Sequence, residues 1–184
     1  MRKFFSKTKL ILIIVIIAFV VLSYFLYINR RAAPPTPPAA PPQQSVWKGI
    51  VPGTSTEEEV KQKLGTPKSE GENLLEFEST SPTRNHTVSL EESVVGLIKE
   101  VVSYRDTTKV SDLRAQYGET SDVLYGPDAE NGYYLFVYSE KGVAYLGNPA
   151  TETLLEIWYF PATTFEDFVN RWAASYSRTL SPKF

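Results

Sequence analysis

The chain has one histidine, no cysteine and 21 acidic residues among 184. Those counts limit its chemistry. Without cysteine there is no thiolate nucleophile, no thiolate metal site, no disulfide framework and no lipid-attachment cysteine. A catalytic triad would depend on His86, which lies in the polar run from Ser81 to Val88 and reads as an exposed turn histidine. Glu91 and Glu92 are the pair of acids a glycosidase would need. Adjacent residues of a strand point to opposite faces, so these two do not share a cleft. Glu57, Glu58 and Glu59 read as the charged start of a helix, where acids suit the dipole. Asn85-His86-Thr87 matches a glycosylation sequon and is read as incidental. No nucleophile elbow, phosphate-binding loop or zinc-protease helix motif is present. The expectation is a protein with no catalytic residue, no cofactor and no metal.

Aromatic residues carry the stronger signal. From Tyr133 to Tyr138 both alternating sets are apolar, Tyr134, Phe136 and Tyr138 against Tyr133, Leu135 and Val137. From Leu154 to Phe160 the sets are Leu154, Trp158 and Phe160 against Leu155, Ile157 and Tyr159. A sheet that is apolar on both faces needs two covers. Helices of the chain supply one; the rest of the chain, a second copy or a partner supplies the other. Aromatic anchors dominate interface energetics. The residues expected at a partner-binding face are Tyr134, Phe136, Tyr138, Trp158 and Phe160.

The elements that position them form a repeating series. Residues 52–67 predict a helix with Ser55/Glu58 or Thr56/Glu59 as its capping pair. Val60 and Leu64 share one face, Gly65 ends the helix and Pro67 blocks its continuation. Strands are predicted at 74–78, 87–91 and 94–104, each with one largely polar side. The pattern then restarts. Thr108 is the expected cap of a second helix, with Leu113 and Tyr117 at the Val60/Leu64 spacing and Gly118 in the place of Gly65. A short extended piece at 122–125 precedes strands at 133–139, 143–147 and 154–160, with a hairpin turn at Lys141-Gly142. A final amphipathic helix spans 163–176, capped by Thr163 or Thr164. Its apolar residues Phe165, Phe168, Val169 and Trp172 fall at i, i+3, i+4 and i+7.

Ahead of this body lie two unlike segments. Leu10 to Ile28 is 19 residues without a charge. As a helix it is about 28 Å long, close to the thickness of a bilayer's hydrocarbon core. It is too long for the apolar region of a cleaved signal peptide and has no small-residue cleavage site, so it reads as an uncleaved signal anchor. Six basic residues flank it, four before and two after, which orients the N-terminus to the cytoplasm. Residues 32–45 carry no charge and six of the 13 prolines. At about 3.1 Å per residue a polyproline II spacer of this length reaches roughly 40 Å. Residues 46–184 hold every acid and 13 bases, a net charge of −8. An acidic body excludes nucleic acid as a partner.

Pro52, Gly53, Ser55, Thr56, Glu59, Val60, Leu64, Gly65 and Pro67 carry a resemblance to the SmpA/OmlA domain, which occurs in the small lipoprotein of the outer-membrane β-barrel assembly machine. Two such units in tandem are similar to the β-lactamase inhibitor protein fold, with Leu113, Tyr117 and Gly118 as the weaker echo. The resemblance implies an extracytoplasmic protein-binding module. The missing lipid-attachment cysteine departs from the outer-membrane lipoproteins of that kind. The expected architecture is α+β, tandem αβββ-αβββ-α repeats behind one transmembrane helix and a Pro-rich linker. Its parts are a basic tail (1–9), a span (10–28), a linker (29–45), a first repeat (46–106) and a second repeat with the terminal helix (107–184). The expected function is a single-pass, membrane-anchored binding or scaffolding module of the bacterial cell envelope. Its partners are the bilayer through residues 10–28 and an envelope protein. The alternatives are an accessory subunit of a membrane complex, a homo-oligomer, and an envelope hydrolase.

Overall fold

The computed structural model describes residues 16–24, 44–120 and 122–180, in two compact units, Met1–Ala40 and Pro41–Phe184. In the first unit residues 16–24 are helical and exposed. No helix among the described residues is long and apolar enough to cross a membrane. The basic tail 1–9 lies outside the described residues. So do the expected span 10–28 apart from residues 16–24, and the linker apart from Gln44 and Ser45.

The second unit is α+β, with eight strands in one antiparallel sheet. It opens with helix α1 (Glu57–Leu64), then β1 (Ser69–Glu70), β2 (Leu74–Phe77), β3 (His86–Glu91) and β4 (Val94–Val101). Helix α2 (Val110–Tyr117) precedes β5 (Val123–Leu124), β6 (Tyr134–Tyr138), β7 (Val143–Asn148) and β8 (Thr153–Tyr159). Helix α3 (Phe165–Trp172) follows. The strand order is β1-β2-β3-β4-β8-β7-β6-β5, so the last strand of each half pairs with the other at the centre.

Local chemistry sets the helix ends. At α1 the Thr56/Glu59 pair forms the capping box, each side chain accepting the other's backbone N–H at 3.3 Å. The Ser55 hydroxyl instead accepts the Val51 N–H. At α2 the expected Thr108 cap is corrected. Lys109 stands at the N-cap, with its N–H on the Asp112 carboxylate. The Glu152 carboxylate, from the β7–β8 turn, accepts the Ser111 N–H at 2.7 Å. That hydrogen bond holds the exposed Glu152 carboxyl below its ordinary pKa. Thr164 caps α3 through the Asp167 N–H.

Gly65 and Gly118 close α1 and α2 with near-identical backbones, φ 86° in both and ψ −162° and −173°. A Cβ would meet nothing within 4 Å at either site, so glycine is required by the dihedral angles and not by crowding. The sheet then separates the cores under α1 and α2 from a third core under α3. Val60 and Leu64 of α1 pack with Leu75, Val88 and Ile98; Val110 and Leu113 of α2 pack with Phe136, Val143 and Ile157. Tyr159 pairs with both Ile98 and Val143, so α1 and α2 lie on the same side of the sheet. On the other side α3 seals the second half through Phe168, packed among Leu135, Trp158 and Phe160. Burying one such ring contributes on the order of 1.5–3 kcal/mol.

Differences from the predicted elements are small in extent. Strand β1 was not expected; its two exposed residues carry no alternation to read. The first and last helices and several strands end a few residues inside their predicted limits.

Gly118→Ala is expected to destabilise the protein by about 1–3 kcal/mol, the cost of holding a Cβ residue in a glycine-only conformation. A fall in the thermal midpoint with unchanged near-ultraviolet circular dichroism checks it.

Candidate binding surface

The five expected partner-face residues are not on one face. Tyr134, Phe136 and Tyr138 lie on the α2 side; Phe136 stacks on Tyr145 with ring centroids 4.9 Å apart. The Tyr138 hydroxyl donates to the Gly118 carbonyl at 2.6 Å, and burial pushes its pKa up. Trp158 and Phe160 lie on the α3 side, 1 % and 0 % exposed, with Phe160 and Phe168 centroids 4.6 Å apart. Only Tyr134 keeps appreciable exposure. The reason is register. Trp158 pairs with Ala144, and Ala144 with Val137, which puts Trp158 on the side of Val137 and not of Phe136. A register shift at Leu146/Gly147 also turns Leu154 to the α2 side, away from Trp158. Both apolar sides of the second half are therefore covered within the chain.

His86 is a second correction. It opens β3 and is 6 % exposed. Its Nδ1 accepts the Val101 N–H at 3.0 Å, and its ring stands edge-on to Trp47 at 5.3 Å. The alternation of β3 extends one residue further back than Thr87, and that phase places His86 on the inner side with Val88 and Leu90. A cleft of about 240 Å³ beside it is lined by Lys48, Glu100 and Asp106 among others. Glu100 accepts the Tyr159 hydroxyl at 2.8 Å, and Asp106 accepts the Ser103 N–H at 2.7 Å. These acids hold the fold together locally. Among the described residues no group of three or more potential ligands is placed to hold a metal ion. Glu91 accepts from both Arg171 and Trp172 of α3, tying the first half to that helix, while Glu92 sits in the β3–β4 turn.

The open surface is the outer part of the sheet's first half on the α3 side, beyond the buried Leu97 of β4. There β2, β3 and β4 present Leu74, Glu76, Thr87, Ser89 and Lys99, all at least partly exposed. A depression of about 480 Å³ runs over them, bounded by Arg84 and Asn85 of the β2–β3 loop and by Glu156 of β8. Cross-strand pairing aligns Glu76, Thr87, Lys99 and Trp158 in one row, which passes from the open surface to the sealed core. Lys99 marks the boundary, its ammonium 3.8 Å from the centre of the Trp158 ring. Glu156 is buried, accepts the Trp158 indole N–H at 2.6 Å and pairs with Arg84. Asn85 donates to Glu76 at 2.9 Å. Burial first, and the Arg84 charge second, hold Lys99 below its ordinary pKa. Alternation in the sequence gives the polar side of these strands; the long-range contacts of Arg84 and Lys99 have no local signal.

Among solved structures, YjgB, a DUF4309 family protein of Bacillus subtilis known from a 2.13 Å crystal structure, matches with a TM-score of 0.47 and 15 % identity. The match covers 65 % of this chain and 88 % of that one. No family model matches the chain, and no curated protein matches it.

Burial is the leading cause that lowers the His86 pKa from its ordinary 6.5, with Lys48 adding to it and Glu100 and Asp106 opposing. The unfolded chain therefore binds the proton first as pH falls. Stability is expected to be full above about pH 6.5 and to decline below it, as the buried ring resists charging. Chemical denaturation at pH 7.5 and 5.5 checks this, with His86→Gln expected to show a smaller loss.

Proposed function

We propose that this chain is a single-pass, membrane-anchored, extracytoplasmic protein-binding module of the bacterial cell envelope, and that it is not a catalyst. In this reading residues 10–28 are the anchor, with the N-terminus in the cytoplasm. Residues 29–45 are the spacer, and residues 46–184 are tandem helix-and-sheet units of the SmpA/OmlA kind, similar to the β-lactamase inhibitor protein. The matched Gly65 and Gly118 caps support the tandem reading, as does the placement of α1 and α2 on one side of the sheet. The charge-free 19-residue run and its basic flanks support the anchor. Ser45 donates to the Gly142 carbonyl at 2.8 Å and Trp47 is buried in the α1 core, which supports a spacer fastened to the body.

One observation carries the binding reading. Helix α3 closes its side of the sheet over the second half and over Leu97 of β4, leaving the outer part of the first half as a mixed polar surface. Taken as a whole, a non-obligate protein interface is only about as apolar as the rest of a protein's surface, so a mixed polar face can serve as one. A photo-crosslinking residue at Ser89, on the open surface of the full chain in its membrane, is expected to capture a partner polypeptide. The same residue at Asn170, exposed on α3, is expected to capture none. Equal capture from both sites, or none from Ser89, contradicts the reading.

A further inference from the structure

Lys99 differs from the other charged groups of the open surface. Arg84 is committed to Glu156, and Glu76 accepts from Asn85. Lys99 makes no ion pair among the described residues; its ammonium rests on the face of Trp158. Its aliphatic stem is flanked by Thr87 and Trp158 in the cross-strand row, so the charge is held at the floor of the depression. An ammonium that is partly desolvated and has no ion pair of its own is balanced best by an incoming anion.

We propose that Lys99, with Arg84 beside it, receives one carboxylate side chain of a partner polypeptide seated on the open surface. This deepens the protein-binding reading and rests on it. A single negative charge fits the site. The same depression is lined by the carboxylates of Glu76 and Glu156, which would repel a doubly charged phosphate more strongly than a carboxylate. The Thr87 and Ser89 hydroxyls and the Leu74 side chain beside Lys99 suit the backbone and side chains that flank an acidic residue in a peptide. The body as a whole carries a net charge of −8 over residues 46–184, so an acidic partner gains nothing from long-range steering. The Lys99 contact then fixes register on the surface, which is what a local charge pair at an interface does best.

The test uses the full chain in detergent micelles, labelled with ¹³C at the lysine ε-carbons. The probe is N-acetyl-glutamate N′-methylamide at constant ionic strength. Its glutamine counterpart and inorganic phosphate serve as comparisons. The Lys99 signal is assigned by its loss in Lys99→Gln, or in Lys99→Arg should the first variant not fold. Saturable movement of the Lys99 signal by the glutamate probe supports the proposal. Binding of the glutamine counterpart is expected to be about tenfold weaker, the cost of losing a charge-assisted contact. Bound carboxylate is also expected to raise the pH at which Lys99 titrates. No saturable movement, equal response to the glutamine counterpart, or tighter binding of phosphate overturns the proposal. Its failure is distinct from that of the parent reading. Partner capture from Ser89 with a silent titration removes the carboxylate proposal alone. A positive titration with no capture from Ser89 removes the polypeptide partner and leaves Lys99 as a small-acid site.

Discussion

Strands β4 and β8 meet at the centre of the sheet, and that antiparallel pairing decides where every other element can go. Each is the last strand of its half, so the two meanders run outward from the shared seam to short edge strands. The pairing of Ile98 with Tyr159 brings the α1 and α2 cores onto one side, with Tyr159 packed against both. The pairing of Lys99 with Trp158 carries the opposite side from solvent into a sealed core within one step. A slip of one residue at this seam would exchange those sides along the whole of one half.

The two halves are alike where helices α1 and α2 cover them and unlike on the far side. There the second half is built from Leu135, Val137, Ala144, Trp158 and Phe160 and is closed by α3 together with Leu97 of β4, while the rest of the first half carries Glu76, Thr87, Ser89 and Lys99 and is left open. The chain thus completes its own core and keeps one polar surface unspent. Glu156 and Glu91 work at the edge of that closure. Glu156 holds the Trp158 indole and Arg84, and Glu91 holds Arg171 and Trp172. The open surface is therefore framed by groups already engaged with the fold, with Lys99 the cation among them that has no ion pair in the described residues.

Much of this architecture was legible in the amino-acid sequence because its signals are local. Capping residues, the Gly65 and Gly118 stops and the alternation of β2, β3 and β6 act within a few residues of themselves. The binding surface was not legible, because it depends on register. Alternation separates Tyr134, Phe136 and Tyr138 from their neighbours but cannot phase β6 against β8. The register shift at Leu146/Gly147 breaks the phase within β8 itself. His86 was misplaced for a related reason. A polar residue at the end of a polar loop reads as loop, and only its contacts with Val101 and Trp47 place it inside. Lys109 and Glu152 share the capping of α2 across 43 residues of chain, which no local rule anticipates.

Both aromatic sides of the second half are closed by the chain itself, and the polar surface of the first half is proposed to be occupied by a partner. Covalent footprinting of the full chain tests both parts at once, in its native membrane and after solubilisation. The account predicts that Trp158 stays unreactive in both states, and that Lys99 is shielded in the membrane and becomes reactive on solubilisation. Reactive Trp158 in the solubilised protein, or equal Lys99 reactivity in the two states, would contradict it.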